Sequence, residues 1–508
     1  MGTAAPDASQ WVKVLDQSRC IGCHACTTAC KSENAVPLGV TRTYVKSVDV
    51  GVFPNARRAF QVTRCNQCED APCVSACPTR AMYRRPDGIV DFDKNLCIGC
   101  KACIAACPYD AIFINPEDHS AEKCNFCAHR LDIGLEPACV TVCPTQAILV
   151  GDLHDPTSRV AQVVQQEAVA VRRPEKETRP KVFYKGAHQA TLDPLAARRP
   201  DGGLLAWATQ PDHGRHVPGG RPAGPNSSAA ALLSYDAPHE APWGWRVSLY
   251  TWTKSIASGS LLVTVLLLLL GRLAWDSPLA RWVGPGTALV LLGITALLLI
   301  WDLKHPFRFY RIFTEHQWRS WLVRGTAIIT AYGVVVAGTL IGSLTDWAAL
   351  RYVMAGLAIP LAVATACYTA YLFAQARARD LWQSPLLPPH LLVQAVLAGS
   401  AVLLPFATGP GAGAAATALR LAIAGAALAH LLLVFGETTL THGTAHARLA
   451  VHELVRGRFG GFFWMSVLLL VAAVAAPWIG VWASAPALLG LLAYEHAYVR
   501  AGQAVPLA

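Results

Sequence analysis

Residues 97–108 read Cys97-Ile98-Gly99-Cys100-Lys101-Ala102-Cys103-Ile104-Ala105-Ala106-Cys107-Pro108, a C-x2-C-x2-C-x3-C-P run. Three thiolates two residues apart can wrap one cubane [4Fe-4S] cluster, while the fourth points away and ligates a neighbouring cluster. One such run therefore implies another. The sequence supplies three more: Cys20, Cys23, Cys26 and Cys30; Cys65, Cys68, Cys73 and Cys77; and Cys124, Cys127, Cys139 and Cys143. Of the 17 cysteines only Cys367 lies outside residues 20–143, and the other sixteen match the ligand demand of four [4Fe-4S] clusters. Cys367 falls in an apolar run, where a small buried thiol is the simpler reading.

Other uses of so many cysteines fit less well. A disulfide framework belongs to short secreted chains, and Met1 to Trp11 shows neither the apolar region nor the twin arginine of an export signal. Cys20-Ile-Gly-Cys23-His24 matches the C-x-x-C-H pattern of haem attachment, but both cysteines are already required by the longer run. Zinc ribbons draw four ligands from two pairs, whereas three cysteines with a fourth three residues on suit a cubane.

The runs are also repeats. CIGCHACTTAC at 20–30 returns as CIGCKACIAAC at 97–107, and CEDAPCVSACPTRAM at 68–82 returns as EPACVTVCPTQAI at 136–148. Two diverged, interleaved units follow from this. Each run is expected on a loop closing onto a short helix, with short strands such as Gly88 to Phe92 and Ala147 to Val150 between them. Pro78, Pro108 and Pro144 fix the backbone as it leaves three of the runs, and Lys31 replaces proline in the first.

After residue 195 the composition changes. Residues 196–243 are rich in Gly, Pro, Ala and Arg, with Pro-Gly-Gly-Arg-Pro-Ala-Gly-Pro at 218–225, and read as an irregular linker. From 244 to 508 the chain carries eight apolar stretches, at roughly 247–271, 283–301, 321–344, 353–375, 389–407, 414–436, 461–480 and 483–499. Most reach the length of about 20 residues that a bilayer core demands. The 53% hydrophobic content comes mainly from this half, so the net charge of +10 bears on membrane topology and nucleic acid is not an expected partner. An even number of spans puts both ends on one face. The loops on that face hold Lys304, Arg308, Arg311, Arg319, Arg377, Arg379, Arg448, Arg456, Arg458 and Arg500, against Arg272, Arg281, Arg351 and Arg420 on the other. The positive-inside rule then places the cysteine-rich domain on the cytoplasmic side of a bacterial inner membrane.

The four cysteine spacings, C-x2-C-x2-C-x3-C, C-x2-C-x4-C-x3-C, C-x2-C-x2-C-x3-C and C-x2-C-x11-C-x3-C, resemble those of the electron-transfer subunit of the dimethyl-sulfoxide/polysulfide reductase family of molybdoenzymes. Arg179-Pro-Lys-Val-Phe-Tyr184 resembles that family's C-terminal tail. The resemblance implies one cluster on Cys20, Cys23, Cys26 and Cys143 and a second on Cys30, Cys124, Cys127 and Cys139. It implies a third on Cys65, Cys68, Cys73 and Cys107, and a fourth on Cys77, Cys97, Cys100 and Cys103. Asp302-Leu-Lys-His-Pro-Phe-Arg308, Ser320-Trp-Leu-Val-Arg-Gly325 and Trp382-Gln-Ser-Pro-Leu-Leu-Pro388 resemble the NrfD or polysulfide-reductase type of anchor, which has eight spans and binds quinone without haem.

The expected fold is thus an α+β double ferredoxin-like iron–sulfur domain, 1–195, joined through 196–243 to an all-α eight-helix transmembrane bundle, 244–508. Ionisable groups inside spans are costly, so each is a functional candidate. Lys254, Asp302 and Glu437 are the candidate quinone and proton residues, with Tyr250, Arg324 and His430 beside them. Alternating helix direction puts all of these in the half of the membrane nearest the clusters, although Asp302, Arg324 and Glu437 also read as interfacial ion-pair partners and Tyr250 as part of an aromatic belt. The resemblance implies an electron-transfer and anchor subunit that serves a separate molybdopterin catalytic subunit and the quinone pool, with menaquinone or ubiquinone as the carrier. A cytochrome or heterodisulfide-type partner, and an ion-translocating bundle, are the alternatives.

Overall fold

The computed structural model describes residues 9–198, 231–237, 241–409 and 412–507. In the front domain the strand Trp11–Asp16 pairs antiparallel with Ile148–Asp152 and parallel with Val182–Lys185. Its side chains alternate. Val12 and Val14 pack on the helix Arg159–Gln166 side with Val160 and Val163, while Lys13 and Leu15 face the cysteines. A second sheet holds the hairpin Thr43–Val50 and Arg57–Arg64, and Ala231–Tyr235 adds to its edge. That third strand lies inside the stretch read as irregular. Pairing with Thr43–Val50 has overridden a composition that argues for coil, whereas 199–230 of the linker lies outside the described residues.

The repeats share their backbone. Gly22 and Gly99 both have positive φ, 71° and 69°, and the residues two further on, His24 and Lys101, are left-handed at 60° and 63°. Short helices start next, at Ala25 and Ala102. The third residue after Cys77, Cys107 and Cys143 is left-handed in each case, at Arg80, Asp110 and Gln146. These turns aim amides at sulfur: Met82 N–H donates to Cys77 Sγ at 3.4 Å and Ala147 N–H to Cys143 Sγ at 3.2 Å.

Behind the iron–sulfur domain, seven helices among the described residues are long and apolar enough to cross a bilayer: Trp245–Leu269, Leu279–Asp302, Trp321–Leu344, Ala348–Ala374, Leu387–Phe406, Gly413–Thr439 and Ala476–Ala504. Taken together as one broken span, the pair Ala445–Val455 and Gly460–Val474, bent by 67°, brings the number to eight. The sequence makes 483–499 the shortest span. In the structure that helix is long, and the short one is the seventh, Gly460–Val474. The first helix is buried along most of its length, and it crosses the fifth at Gly259 and Gly399. A Cβ on Gly259 would lie 1.8 Å from the Ala395 carbonyl oxygen, and one on Gly399 2.2 Å from the Gly259 carbonyl carbon. Small residues let membrane helices approach this closely. Gly259→Val is therefore expected to destabilise the bundle by about 1–3 kcal/mol or more, read as a lowered unfolding midpoint in detergent. Gly293→Val, at a site with nothing within 4 Å, will leave the midpoint in place.

Both ends of the bundle meet under the iron–sulfur domain. Trp243 N–H donates to Gln503 Oε1 at 2.9 Å, Gln503 Nε2 returns a bond to Trp243 O at 3.0 Å, and the Trp243 indole donates to Cys100 O at 3.3 Å. The connection between the second and third helices supplies most of the remaining seam. Lys304 N–H and His305 N–H donate to Gly99 O and Ile98 O at 3.3 and 3.2 Å. Gln317 Nε2 donates to Val74 O and Cys77 O, both at 2.7 Å, and Ser320 Oγ to Ala76 O at 2.8 Å. Gly99 has to be glycine here, because a Cβ would sit 2.4 Å from Lys304 Cβ.

Candidate functional site

Four cysteines, Cys77, Cys97, Cys100 and Cys103, line one cavity with an empty volume of about 350 Å³, and Cys65, Cys68, Cys73 and Cys107 line another of about 300 Å³. The remaining eight gather in the same manner. Cys20 lies in electrostatic reach of Cys23 and Cys143, and Cys26 of Cys20 and Cys143. Cys30 faces Cys124, Cys139 and Cys127, and Asn34 Nδ2 reaches both Cys30 Sγ and Cys127 Sγ at 3.7 Å. Electrostatic reach also runs from set to set: Cys26 to Cys139, Cys65 to Cys124, and Cys103 to Cys73.

Is the donor set one for a single ion or for a cluster? Among the described residues no three His, Cys, Asp or Glu side chains converge closely enough for a single metal ion. Zinc with sulfur ligands at about 2.3 Å would need that convergence. Sulfurs ringed around a cavity suit an iron–sulfide core instead. As free thiols these groups resist ionisation: burial, and then neighbouring cysteines, push Cys30 and Cys68 up to about 12. Gathering them as thiolates requires the positive charge of iron.

Cys139 is the exception. Burial works against its ionisation too, but Lys13 and Arg64 outweigh it and bring the thiol down to about 7. Arg64 Nη1 lies 3.3 Å from Cys139 Sγ and Lys13 Nζ lies 3.8 Å away. Two buried cations at one ligand favour the electron-rich state of whatever that sulfur binds. Arg64→Gln is expected to lower the reduction potential of the centre at Cys139 by tens of millivolts, with a smaller fall at the centre of Cys20 and Cys26, which the same guanidinium reaches, in a redox titration followed by electron paramagnetic resonance.

The Cys100 end of this array opens into the membrane. A cavity of about 1070 Å³ is lined by Cys100 together with Tyr250, Ala296, Asp302, Thr326 and Tyr368, and its other walls are largely aliphatic and aromatic. Asp302 accepts from Lys101, one residue past Cys100, at 2.9 Å. At the opposite end of the domain Cys23 is exposed. The array thus runs from water at Cys23 to an apolar chamber at Cys100.

Of the residues singled out from the sequence, Tyr250 and Asp302 line this chamber. Arg324 does not. It is exposed, its Nε donates to Trp318 O at 2.6 Å, and its guanidinium stands 5.0 Å over the Trp321 ring. Lys254 is fully buried, donating to Ala366 O and Thr369 Oγ1 at 2.8 Å each. His430 and Glu437 form a separate group on the sixth helix. His390 and His430 hydrogen-bond at 2.9 Å, and Glu437 accepts from Tyr494 and Tyr498 at 3.3 and 3.4 Å. Sequence reasoning misses two buried residues, His390 and Glu495. Glu495 is visible in principle, as an ionisable group inside an apolar stretch.

An iron–sulfur domain seated on a helical bundle whose chamber touches one of the gathered cysteines is the architecture of a membrane-anchored electron-transfer protein. Comparison with known proteins names the family. Residues 234–504 match the family described as polysulphide reductase NrfD, residues 57–153 match the 4Fe-4S dicluster domain, and residues 11–32 a 4Fe-4S binding domain. The chain belongs to the NrfD family, with a 4Fe-4S electron-transfer domain fused ahead of the anchor. The front part is 44% identical to a tetrathionate reductase subunit of Salmonella typhimurium, over 37% of this chain and 77% of that protein. It is 44% identical to a polysulfide reductase subunit of Wolinella succinogenes, over 35% and 94%. A putative dimethyl sulfoxide reductase iron–sulfur subunit of Halobacterium salinarum is 38% identical over 37% and 82%.

Proposed function

We propose that this protein carries electrons through four [4Fe-4S] clusters between a molybdopterin-type catalytic subunit and a quinone held in the chamber beside Cys100. The observation that carries the reading is the shared wall: Cys100, Tyr250 and Asp302 line one cavity, so a quinone head there lies against a cluster ligand. Cys20, Cys23, Cys26 and Cys143 hold the first cluster, and Cys30, Cys124, Cys127 and Cys139 the second. Cys65, Cys68, Cys73 and Cys107 hold the third, and Cys77, Cys97, Cys100 and Cys103 the fourth. Each cluster, when bound, takes up and gives back one electron.

The chain's own residues do the rest. Amides such as Met82 N–H and Ala147 N–H stabilise negative charge on sulfur. Apolar walls of the chamber admit a ring and its tail, while Asp302 fixes Lys101 at the head end. The relatives' names place such chains in reductase complexes, which supports a catalytic partner docking at the Cys23 end. The basic loops on the iron–sulfur face support a cytoplasmic location for that domain in a bacterial inner membrane.

The test is anaerobic isolation with whatever large subunit co-purifies. Molybdenum or tungsten in that subunit, and bleaching of the iron–sulfur absorbance by a short-chain quinol added to the oxidised complex, are the expected results. Haem in place of molybdenum would move the assignment to a cytochrome partner. Quinol that leaves the absorbance unchanged would remove the quinone.

A further inference from the structure

A second opening lies on the iron–sulfur face of the bundle, apart from the quinone chamber. It has an empty volume of about 910 Å³ and is lined by Asp380, Gln383, His442, Thr444 and, at its inner wall, Glu437. Its rim is tied down, since Asp380 pairs with Lys176 of the front domain and accepts from Thr444 Oγ1 at 2.7 Å. From Glu437 a file of polar side chains leads inward. Its carboxylate takes the Tyr494 and Tyr498 hydroxyls. The Tyr494 ring meets His430 edge-on with centroids 4.7 Å apart, and lies 5.3 Å from His390. His390 and His430 hydrogen-bond each other. Glu495, the neighbour of Tyr494, sits in electrostatic contact with Lys254 and against Thr251. Lys254 reaches Thr369 and lies 5.1 Å over the Tyr368 ring. Thr369 packs against the phenols of Tyr250 and Tyr368, which line the quinone chamber.

A file of this kind is a costly way to hold a bundle together. Burying a charge pair, a carboxylic acid and two imidazoles among membrane helices costs stability that apolar residues of the same size would return. His430 Nε2 and Glu495 Oε1 are moreover buried without a partner among the described residues, and buried polar atoms of this kind are ordinarily satisfied, often by a bridging water. Chains of carboxylates, histidines and tyrosines inside a membrane mark routes for protons.

We propose that this file is the proton path of the quinone site, entered at Glu437 and running through Tyr494, with the His430–His390 pair beside it, to Glu495 and Lys254 and on to Tyr368 and Tyr250. The inference rests on the reading of the chamber as a quinone site. Reduction of one quinone takes two electrons, supplied by the iron–sulfur relay, and two protons, supplied by the path; two O–H bonds form and quinol leaves. Quinol oxidation sends both protons back the same way. Protons thus enter on the iron–sulfur face without crossing the seam at Asp302 and Lys101.

The test uses the full chain in proteoliposomes, reduced with stoichiometric dithionite and mixed in a stopped flow with a short-chain ubiquinone or menaquinone analogue. Cluster reoxidation is followed by absorbance and proton uptake by a pH dye. Glu437→Gln and Glu495→Gln are expected to slow both about a hundredfold, the scale of one lost proton-transfer group. Iron content and affinity for the analogue will stay as in the parent, and Glu437→Asp will recover most of the rate. Ala296→Trp, which fills the chamber, separates the two readings. If it blocks reoxidation while both glutamine variants run at the parental rate, the quinone site stands and the path is wrong. If all three run at the parental rate, the quinone site falls and the path with it. Slowing matched by an equal loss of analogue affinity would show a purely structural role and also overturn the path.

Discussion

Cys103→Ala will remove about four of about sixteen irons per chain and stop quinone from reoxidising the relay, while a soluble dye still reoxidises the centres that remain. Cys103 is buried at the back of the cavity it shares with Cys77, Cys97 and Cys100. The next cysteine within its electrostatic reach, Cys73, belongs to the adjoining set. Alanine leaves the apolar packing around Ile104 and Met82 largely in place, so the domain is expected to fold. What is lost is the set in contact with the membrane chamber, because Cys100 lines both spaces. Electron transfer falls steeply with distance, and the third set is one cluster further off. Iron analysis and stopped-flow reoxidation read the two halves of this expectation separately. Unchanged iron would show that the four sulfurs do not share a cluster.

Ala296→Trp is expected to lower quinone-driven turnover at least about a hundredfold with iron content unchanged. Position 296 lies on the second helix, between one and two turns before Asp302, and faces the chamber beside Leu299 and Tyr250. An indole there occupies the volume a quinone ring would need. Because the site is a cavity and not a packed core, the added bulk displaces ligand before it displaces helices, so the usual overpacking penalty of about 1–3 kcal/mol is largely avoided. A change confined to the apparent affinity would place the quinone deeper than the indole reaches. Parental turnover would mean that the chamber is not the quinone site.

The cysteine runs are legible in a sequence because their spacing is local, and the left-handed residues His24 and Lys101 follow the repeats at 20–30 and 97–107. The chamber is another matter. Its walls come from Cys100, Trp243, Tyr250, Ala296 and Tyr368, segments that share no motif and meet only through helix packing. Depth within a span can be counted along the chain, but the side of the helix cannot. Arg324 and Lys254 both read as ionisable groups in the inner half of the membrane, yet one points outward to Trp318 O and the other inward to Thr369. The same limit separates His430 from its partner His390, which comes from another helix. Charge counting in loops has a related weakness. Arg308 donates to Lys94 O and Cys97 O, and Arg379 to Gln503 O and Val505 O, so these two are held by carbonyls of the protein. They count toward adhesion as much as toward membrane orientation.

The seam between the halves runs through the 302–320 connection and the bond from the Trp243 indole to Cys100 O, and each of these bonds joins residues that lie outside 199–230. Adhesion at this seam is therefore a property of two complementary surfaces, separate from the covalent continuity of the backbone. A gene cut between the halves would still yield the same particle from two polypeptides, and fission or fusion at this point would be neutral for wiring while altering only stoichiometry, which a single reading frame fixes at one to one.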